Sequence, residues 1–228
     1  MLKNARLMTV MTTEVKGPYL GMKIPEDLCF KTDAGEKCFR DYKGKWLLLF
    51  SHPADFTPVC TTEFVAFSRK YEEFKKRGVE LLGLSVDTNY SHIEWKRQIE
   101  QAFGIRVPFP IIADVDMKVA SIFNAVPPGQ NLTVRTVALI DPDLKLAWFA
   151  AYPYTNGRNI DEILRIIDAI QFSYKYGYAT PADWKPGDPL IVPPPATAEA
   201  AEKRLKEPGI ECKYWWFCTK KYELVITQ

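Results

Sequence analysis

Cysteine offers this sequence its widest chemistry, and five are present: Cys29, Cys38, Cys60, Cys212 and Cys218. A thiol can ligate a metal, close a disulfide or act as a nucleophile, and spacing separates these roles. Zinc takes about four clustered ligands, usually arriving as close pairs. Here no two cysteines are separated by two to four residues, and the only histidines are His52 and His92, so no metal site is expected. The C-x-x-C of dithiol reductases is also missing. Five is odd, so a closed disulfide framework leaves at least one thiol over. Cys60 has the most suggestive surroundings. It follows the apolar run Trp46–Ser51 and a loop, His52–Val59, that contains Pro53, Thr57 and Pro58. Behind it, Phe64, Phe67, Tyr71 and Phe74 recur at helical spacing. A cysteine at that junction lies in the first turn of a helix, where unpaired N–H groups and the positive end of the dipole favour an anion. Thiolate is the reactive form, and an ordinary cysteine is only a few per cent ionised at neutral pH.

The elements that must hold Cys60 are legible from periodicity. Leu28–Thr32 and Glu36–Arg40 flank Asp33-Ala34-Gly35 as a hairpin. Trp46–Ser51 and Val79–Val86 are continuous apolar runs of strand length, as buried strands require. Thr61–Arg77 is read as one helix, stopped by Gly78 after three cations. Ser91–Phe103 is a helix with Ile93, Ile99 and Phe103 marking its inner side, and Phe109–Ala113 and Met117–Phe123 follow as a short strand and a short helix. Thr136–Asp141 and Lys145–Tyr152 form a second hairpin, and Ile160–Tyr174 a long amphipathic helix. The order β-α-β-α-β-β-α gives an α/β class, a mixed sheet with helices on both faces and a thioredoxin-like core over residues 15–176. From 177 to 228 the composition changes. Six prolines between Pro181 and Pro195 make an extended arm, a short helix spans Ala198–Lys206, and Cys212 and Cys218 flank Tyr214, Trp215, Trp216 and Phe217. Such an aromatic cluster is expected to rest on a second subunit.

Composition narrows the function. With 228 residues the chain can bury a large core without a metal or disulfide staple. Lys plus Arg is 30 against 28 for Asp plus Glu, a balance that gives no footprint for nucleic acid or an anionic membrane. No apolar run approaches the ~20 residues that span a bilayer, and the first residues lack a signal-peptide core. The expectation is a soluble, cytoplasmic protein.

The string SHPADFTPVCTTEF carries P-x-x-x-T-x-x-C after a buried strand, and it resembles the active-site motif of peroxiredoxins, in particular the one-Cys, peroxiredoxin-6-like subfamily. GLSVDTNYSHIEW, PFPIIAD, RTVALIDP and NGRNIDEILRIIDAIQ resemble further blocks of that subfamily, so the likeness covers roughly residues 15 to 220. It implies a thiol peroxidase without cofactor that reduces hydrogen peroxide and organic hydroperoxides. Cys60 would attack the peroxide. Thr57 would accept a hydrogen bond from it and donate one to sulfur, and Pro53 would shield the pocket. Arg135 would hold the thiolate and the peroxide oxygens with several N–H groups. Glu63 and Arg158 match positions that brace this arginine; the blander reading is a surface ion pair of little value. His52 is either a satisfied structural histidine at the pocket edge or a direct participant that helps bind substrate.

A one-Cys enzyme would stop at the sulfenic acid and need an outside thiol. This sequence departs from that pattern and resembles archaeal, thioredoxin peroxidase-like members with two C-terminal cysteines. That resemblance implies Cys218 of a neighbouring subunit as the resolving thiol, exchange with Cys212, re-reduction by thioredoxin or another dithiol, and dimers assembled into a ring, expected to be a decamer. The alternative is that Cys212 and Cys218 simply sit among the arm's aromatics. Cys29 and Cys38 have positions summing to 67, so a two-residue turn at Asp33-Ala34 sets them opposite each other. They are either a structural cross-strand disulfide, as hyperthermophiles tolerate inside the cell, or two buried or free thiols. A holdase chaperone is the competing function. A phospholipase is disfavoured because Lys43-Gly44-Lys45-Trp46-Leu47 lacks a serine nucleophile and Gly83-Leu84-Ser85-Val86-Asp87 lacks the second glycine.

Overall fold

The computed structural model describes residues 17–222. The first two residues of the expected core and the last six of the expected arm therefore lie outside the described residues. Seven strands form the main sheet in the order β2-β1-β5-β4-β3-β6-β7. They are β1 (Cys29–Thr32), β2 (Gly35–Cys38), β3 (Trp46–Ser51), β4 (Val79–Ser85), β5 (Ile111–Ala113), β6 (Arg135–Ile140) and β7 (Leu146–Tyr152). β3, β4 and β5 run parallel, and the outer pairs on both sides are antiparallel. The hairpin register pairs Thr32 with Gly35 and Cys29 with Cys38, as the two-residue turn requires.

β3 is buried on both faces, which is why it reads as an unbroken apolar run. Leu48 and Phe50 face one cluster with Phe64, Phe67, Phe74, Trp95, Phe109, Ile163 and Ile167. Leu47 and Leu49 face the other, with Leu82, Leu84, Ile112, Val119, Phe123 and Ile140. The helices on these faces are α1 (Pro58–Arg69), α2 (Tyr71–Lys76), α3 (Asn89–Phe103), α4 (Lys118–Ile122) and α5 (Ile160–Tyr176).

Two helix expectations are corrected. The single helix over 61–77 begins three residues earlier and breaks at Lys70, whose φ and ψ of −97° and 6° leave the helical region. The bend lets Phe67 and Phe74 both bury completely. The inner side of α3 is His92, Trp95 and Ile99, while Ile93 and Phe103 are exposed. Caps fix the ends of α3 and α5. Thr88 and Asn159 accept first-turn N–H groups, and Gly104 and Gly177 take φ of 65° and 68°, the left-handed conformation that ends a helix most cheaply in glycine.

The arm is more regular than its prolines suggest. β8 (Leu190–Val192), β9 (Glu211–Tyr214) and β10 (Phe217–Lys220) make a second sheet in the order β8-β10-β9, with α6 (Ala198–Arg204) between β8 and β9 in sequence. Trp184 anchors the arm to its own chain. Its ring is buried with Leu190 and Ala169 against Ile166 and Phe172 of α5, and Arg165 Nη1 donates to its carbonyl at 3.1 Å. The tip residues Tyr214, Trp215 and Trp216 remain exposed. Among the described residues no helix is long and apolar enough to cross a membrane.

Candidate active site

The turn from β3 into α1 places the one cysteine without a partner among the described residues. Pro53 is buried, Phe56 adopts the left-handed φ of 55°, and Thr57 takes the extended conformation of an N-cap. Pro58 fills the first helical position, where its missing N–H is no loss. Cys60 is then the third residue of α1, wholly buried in the first turn. Thr57 does not cap the helix with its side chain. Its hydroxyl donates instead to Ala54 O at 2.8 Å, and its carbonyl accepts from Thr61 N at 3.0 Å. First-turn N–H groups are thus left uncapped beside the sulfur, the arrangement that favours an anion.

Arg135 opens β6 and reaches across the sheet to α1. Its Nη1 donates to Cys60 Sγ at 3.3 Å and to Glu63 Oε2 at 2.6 Å, and its Nε donates to Tyr154 O at 3.0 Å. Nη2 has no protein acceptor among the described residues, so two N–H donors of this guanidinium are unspent. Glu63, one turn after Cys60, receives Arg158 as well: N at 2.9 Å and Nε at 2.7 Å on Oε1, and Nη2 at 2.8 Å on Oε2. All three side chains are at least 98 % buried, which rules out the surface-pair reading of Glu63 and Arg158. Burial pushes the Glu63 carboxyl up, but the charge and hydrogen bonds of Arg158, with the charge of Arg135, outweigh it and hold the group below 4.5.

A second buried network lies under the same loop. Asp55 Oδ1 is 2.8 Å from His52 Nε2, Asp55 Oδ2 is 2.8 Å from His92 Nδ1, and His92 Nε2 lies 3.2 Å from Ile112 O. Asp55 N donates to Asp87 Oδ2 at 2.9 Å, so both ends of this aspartate are held. Burial raises the Asp55 carboxyl, and the bonds from the two imidazoles overcome it and bring the group below its ordinary range. His52 packs against the rings of Trp95 and Phe64, and its burial lowers its own basicity more than Asp55 restores it. Its Nδ1 has no partner among the described residues.

The site is a buried thiol at a helix start under an arginine fork, followed by a paired-cysteine arm. The comparisons with known proteins match it along its length. The AhpC/TSA family profile covers residues 20–149, and the profile of the C-terminal domain of 1-Cys peroxiredoxin covers 169–207. Peroxiredoxin 1 of Sulfurisphaera tokodaii is 57% identical over 79% of this chain and 83% of its own length.

The chain belongs to the peroxiredoxin family.

The peroxiredoxin of Aquifex aeolicus is 50% identical over 90% of this chain and 97% of its own. Among solved structures, peroxiredoxin 6 of Arenicola marina superposes with a TM-score of 0.81 at 38% identity, covering 91% of this chain and all of its own. A yeast mitochondrial 1-Cys peroxiredoxin gives 0.80 at 38% identity, over 90% of this chain and all of its own. The thioredoxin-type fold with a C-terminal extension is therefore that of a peroxiredoxin, and the enzyme is a peroxidase.

Within this peroxiredoxin the structure joins Cys60, Arg135, Glu63 and Arg158 by direct contacts, sets Thr57 and Pro53 on the loop that leads to Cys60, and places the His52 ring in the neighbouring Asp55 network. One expected contact is not made, because the single Thr57 proton goes to Ala54 O and none is left for the sulfur. Among the described residues His52 is not fully satisfied, since one ring nitrogen finds no partner there. Asp55 and His92 were not read from the sequence as site residues. Asp55 sits inside the active-site string, but its partner is 37 positions away on α3. Cys29 and Cys38 form a disulfide, so the cross-strand reading holds and the free-thiol reading falls. Cys212 and Cys218 form another across β9 and β10. Neither pair includes Cys60, which is free.

Proposed function

We propose that this peroxiredoxin works as a relay of three cysteines spread over two subunits, and the carrying observation is the Cys212–Cys218 disulfide beside a reduced Cys60. The Cys60 thiolate attacks the outer oxygen of a hydroperoxide. An S–O bond forms, the O–O bond breaks, and the departing oxygen takes a proton and leaves as water or an alcohol. Uncapped N–H groups of α1 stabilise the starting anion. The spare donors on Arg135 Nη2 suit the charge that grows on the leaving oxygen, and the lone pairs of the Thr57 hydroxyl can accept from the peroxide. Complete burial of Cys60 restricts entry to small peroxides until the loop opens.

Cys218 of a neighbouring subunit then condenses with the sulfenic acid and water leaves. Cys212 attacks Cys218, releasing the Cys60 thiol and forming the pair seen here. An outside dithiol reduces that pair. The yeast 1-Cys relative is described as resolving its thiol through glutathione and thioredoxin systems, which supports a dithiol of that class. The exposed tip Tyr214–Trp216 suits a subunit contact, and rings of dimers in the cytoplasm complete the reading.

Peptide mass spectrometry after one equivalent of hydrogen peroxide tests it. Wild type is expected to pass through an interchain Cys60–Cys218 link to Cys212–Cys218, and Cys218→Ser to accumulate oxidised Cys60. Identical sulfenic acid in both proteins, with no link, would leave a one-Cys enzyme. The holdase alternative separates in Cys60→Ser, where peroxidase activity vanishes and a passive holdase would persist.

A further inference from the structure

We infer that reducing equivalents enter the arm at Cys212 Sγ and not at Cys218 Sγ, a conclusion that rests on the relay proposed above. The two sulfurs join neighbouring strands but occupy unequal places. β10 is the central strand of the arm sheet, and Cys218 stands between Val192 on β8 and Cys212 on β9. Cys218 is 0% exposed, and Val192 beside it is buried. β9 is an edge strand, and Cys212 on it is only half-buried.

Thiol–disulfide exchange proceeds by displacement along the S–S axis, so the attacking sulfur approaches from the side opposite the sulfur that leaves. Attack on Cys218 would have to come over β8, through the space Val192 fills. Attack on Cys212 comes over the open edge of β9. The end of α6 comes close to that sulfur, with Arg204 O 3.9 Å from Cys212 Sγ. Leu205, which is exposed and lies outside the tip assigned to the subunit contact, puts apolar surface on the adjoining part of the arm. Access decides which sulfur of a disulfide reacts, and here it is one-sided.

A thiolate of the dithiol reductant bonds to Cys212 Sγ while the Cys212–Cys218 bond breaks. Cys218 leaves with the electron pair and takes a proton from solvent, and the carbonyls of Tyr214 and Trp215, 3.3 and 3.8 Å from its sulfur, can accept the new S–H. The second thiolate of the reductant then displaces Cys212. Two electrons have moved, the reductant holds the disulfide, and both arm thiols are free. Cys218 is thereby the sulfur that serves Cys60, and Cys212 the sulfur that serves the reductant.

The test uses full-length Cys60→Ser protein with the arm disulfide formed by diamide, so it does not depend on peroxide chemistry. A thioredoxin whose second active-site cysteine is changed to serine is added and quenched in acid at short times. The adduct is then mapped on non-reduced peptides, with glutathione as a small-thiol probe in parallel. Adduct on Cys212 is expected in at least about 10-fold excess over Cys218. An even split, or an excess on Cys218, overturns the assignment. Wild type treated with peroxide reports separately on the relay. If it never forms Cys212–Cys218, the relay fails, while the mapping still decides which sulfur of that pair is attacked.

Discussion

Arg158 gives three N–H groups to the one carboxylate of Glu63 and a fourth, Nη1, to Thr136 O at 2.8 Å. The contact joins the segment before α5 to the first turns of α1 and to β6. It fixes the plane of the Glu63 carboxylate, and Glu63 Oε2 in turn fixes Arg135 Nη1, which touches Cys60. One anion thus stands between two buried cations, and the position of the thiol's donor depends on it.

Glu63→Gln should therefore cost stability and rate together. Leaving two guanidinium groups with a neutral partner in a buried site costs about 3–5 kcal/mol. For a chain of this size that is a fall in melting temperature of about 10 °C. The pH dependence has a sign. The folded carboxyl lies below its ordinary 4.5, so its stabilisation is fully present above that pH and is lost as pH falls through the folded value. Thermal melts of wild type and variant should differ most near neutrality and converge in acid. A gap that does not narrow in acid would show that the charge is not what stabilises.

Arg135→Lys keeps the charge but not the fork. A lysine cannot donate at once to Cys60 Sγ, Glu63 and Tyr154 O and still keep spare donors for a peroxide. The second-order rate with hydrogen peroxide should fall by about 10²–10³-fold, the size of a lost transition-state donor. Competition against a haem peroxidase measures it. A rate within about threefold of wild type would mean that charge alone suffices.

His52 makes the fold sensitive to mild acid. Burial lowers its basicity below the ordinary 6.5 despite the Asp55 bond. The neutral ring's contribution is complete above 6.5 and declines as pH falls toward the folded value, with a slope of up to about 1.4 kcal/mol per pH unit. Urea unfolding of wild type should weaken between about pH 7.5 and 5.5, where an ordinary imidazole titrates. His52→Gln keeps a donor for Asp55 and cannot take up the proton, so its slope should be shallower. Equal slopes would assign the acid sensitivity to other groups.

Local chemistry made much of this site legible in the sequence. Pro53 and Pro58 between an apolar run and a helical period place Cys60 at a helix start, and the sum of two positions pairs Cys29 with Cys38. What escaped depends on long-range packing. Apolar periodicity chose Ile93 and Phe103 for the inner side of α3, because the true inner face begins with a histidine. His92 is buried by its bond to Asp55, which no local pattern reports. The arm sheet was hidden for a similar reason. β8 is three residues long among prolines, and its partner β10 lies 25 or more positions further on.

The Cys29–Cys38 disulfide should act on stability and leave the peroxidase cycle alone. β2 reads Gly-Glu-Lys-Cys and buries no apolar side chain, so the edge strand is held to β1 by backbone bonds, the Thr32 Oγ1 bond to Gly35 O and this link. A link across nine positions removes about 2.5–3 kcal/mol of chain entropy from the unfolded state. Replacing both cysteines with serine should lower the melting temperature by about 5–10 °C. Cys29 is exposed, so a small reductant should reach the bond in the native protein and give wild type the same shift. Peroxide turnover at 25 °C should stay unchanged, because the hairpin bonds to none of the groups around Cys60 and meets their supports through β5, where Thr32 pairs with Ile112, and through the Asp33–Lys96 ion pair to α3. If the double variant instead loses turnover at a temperature where it is fully folded, the edge hairpin is coupled through Ile112 and His92 to the loop that holds Cys60.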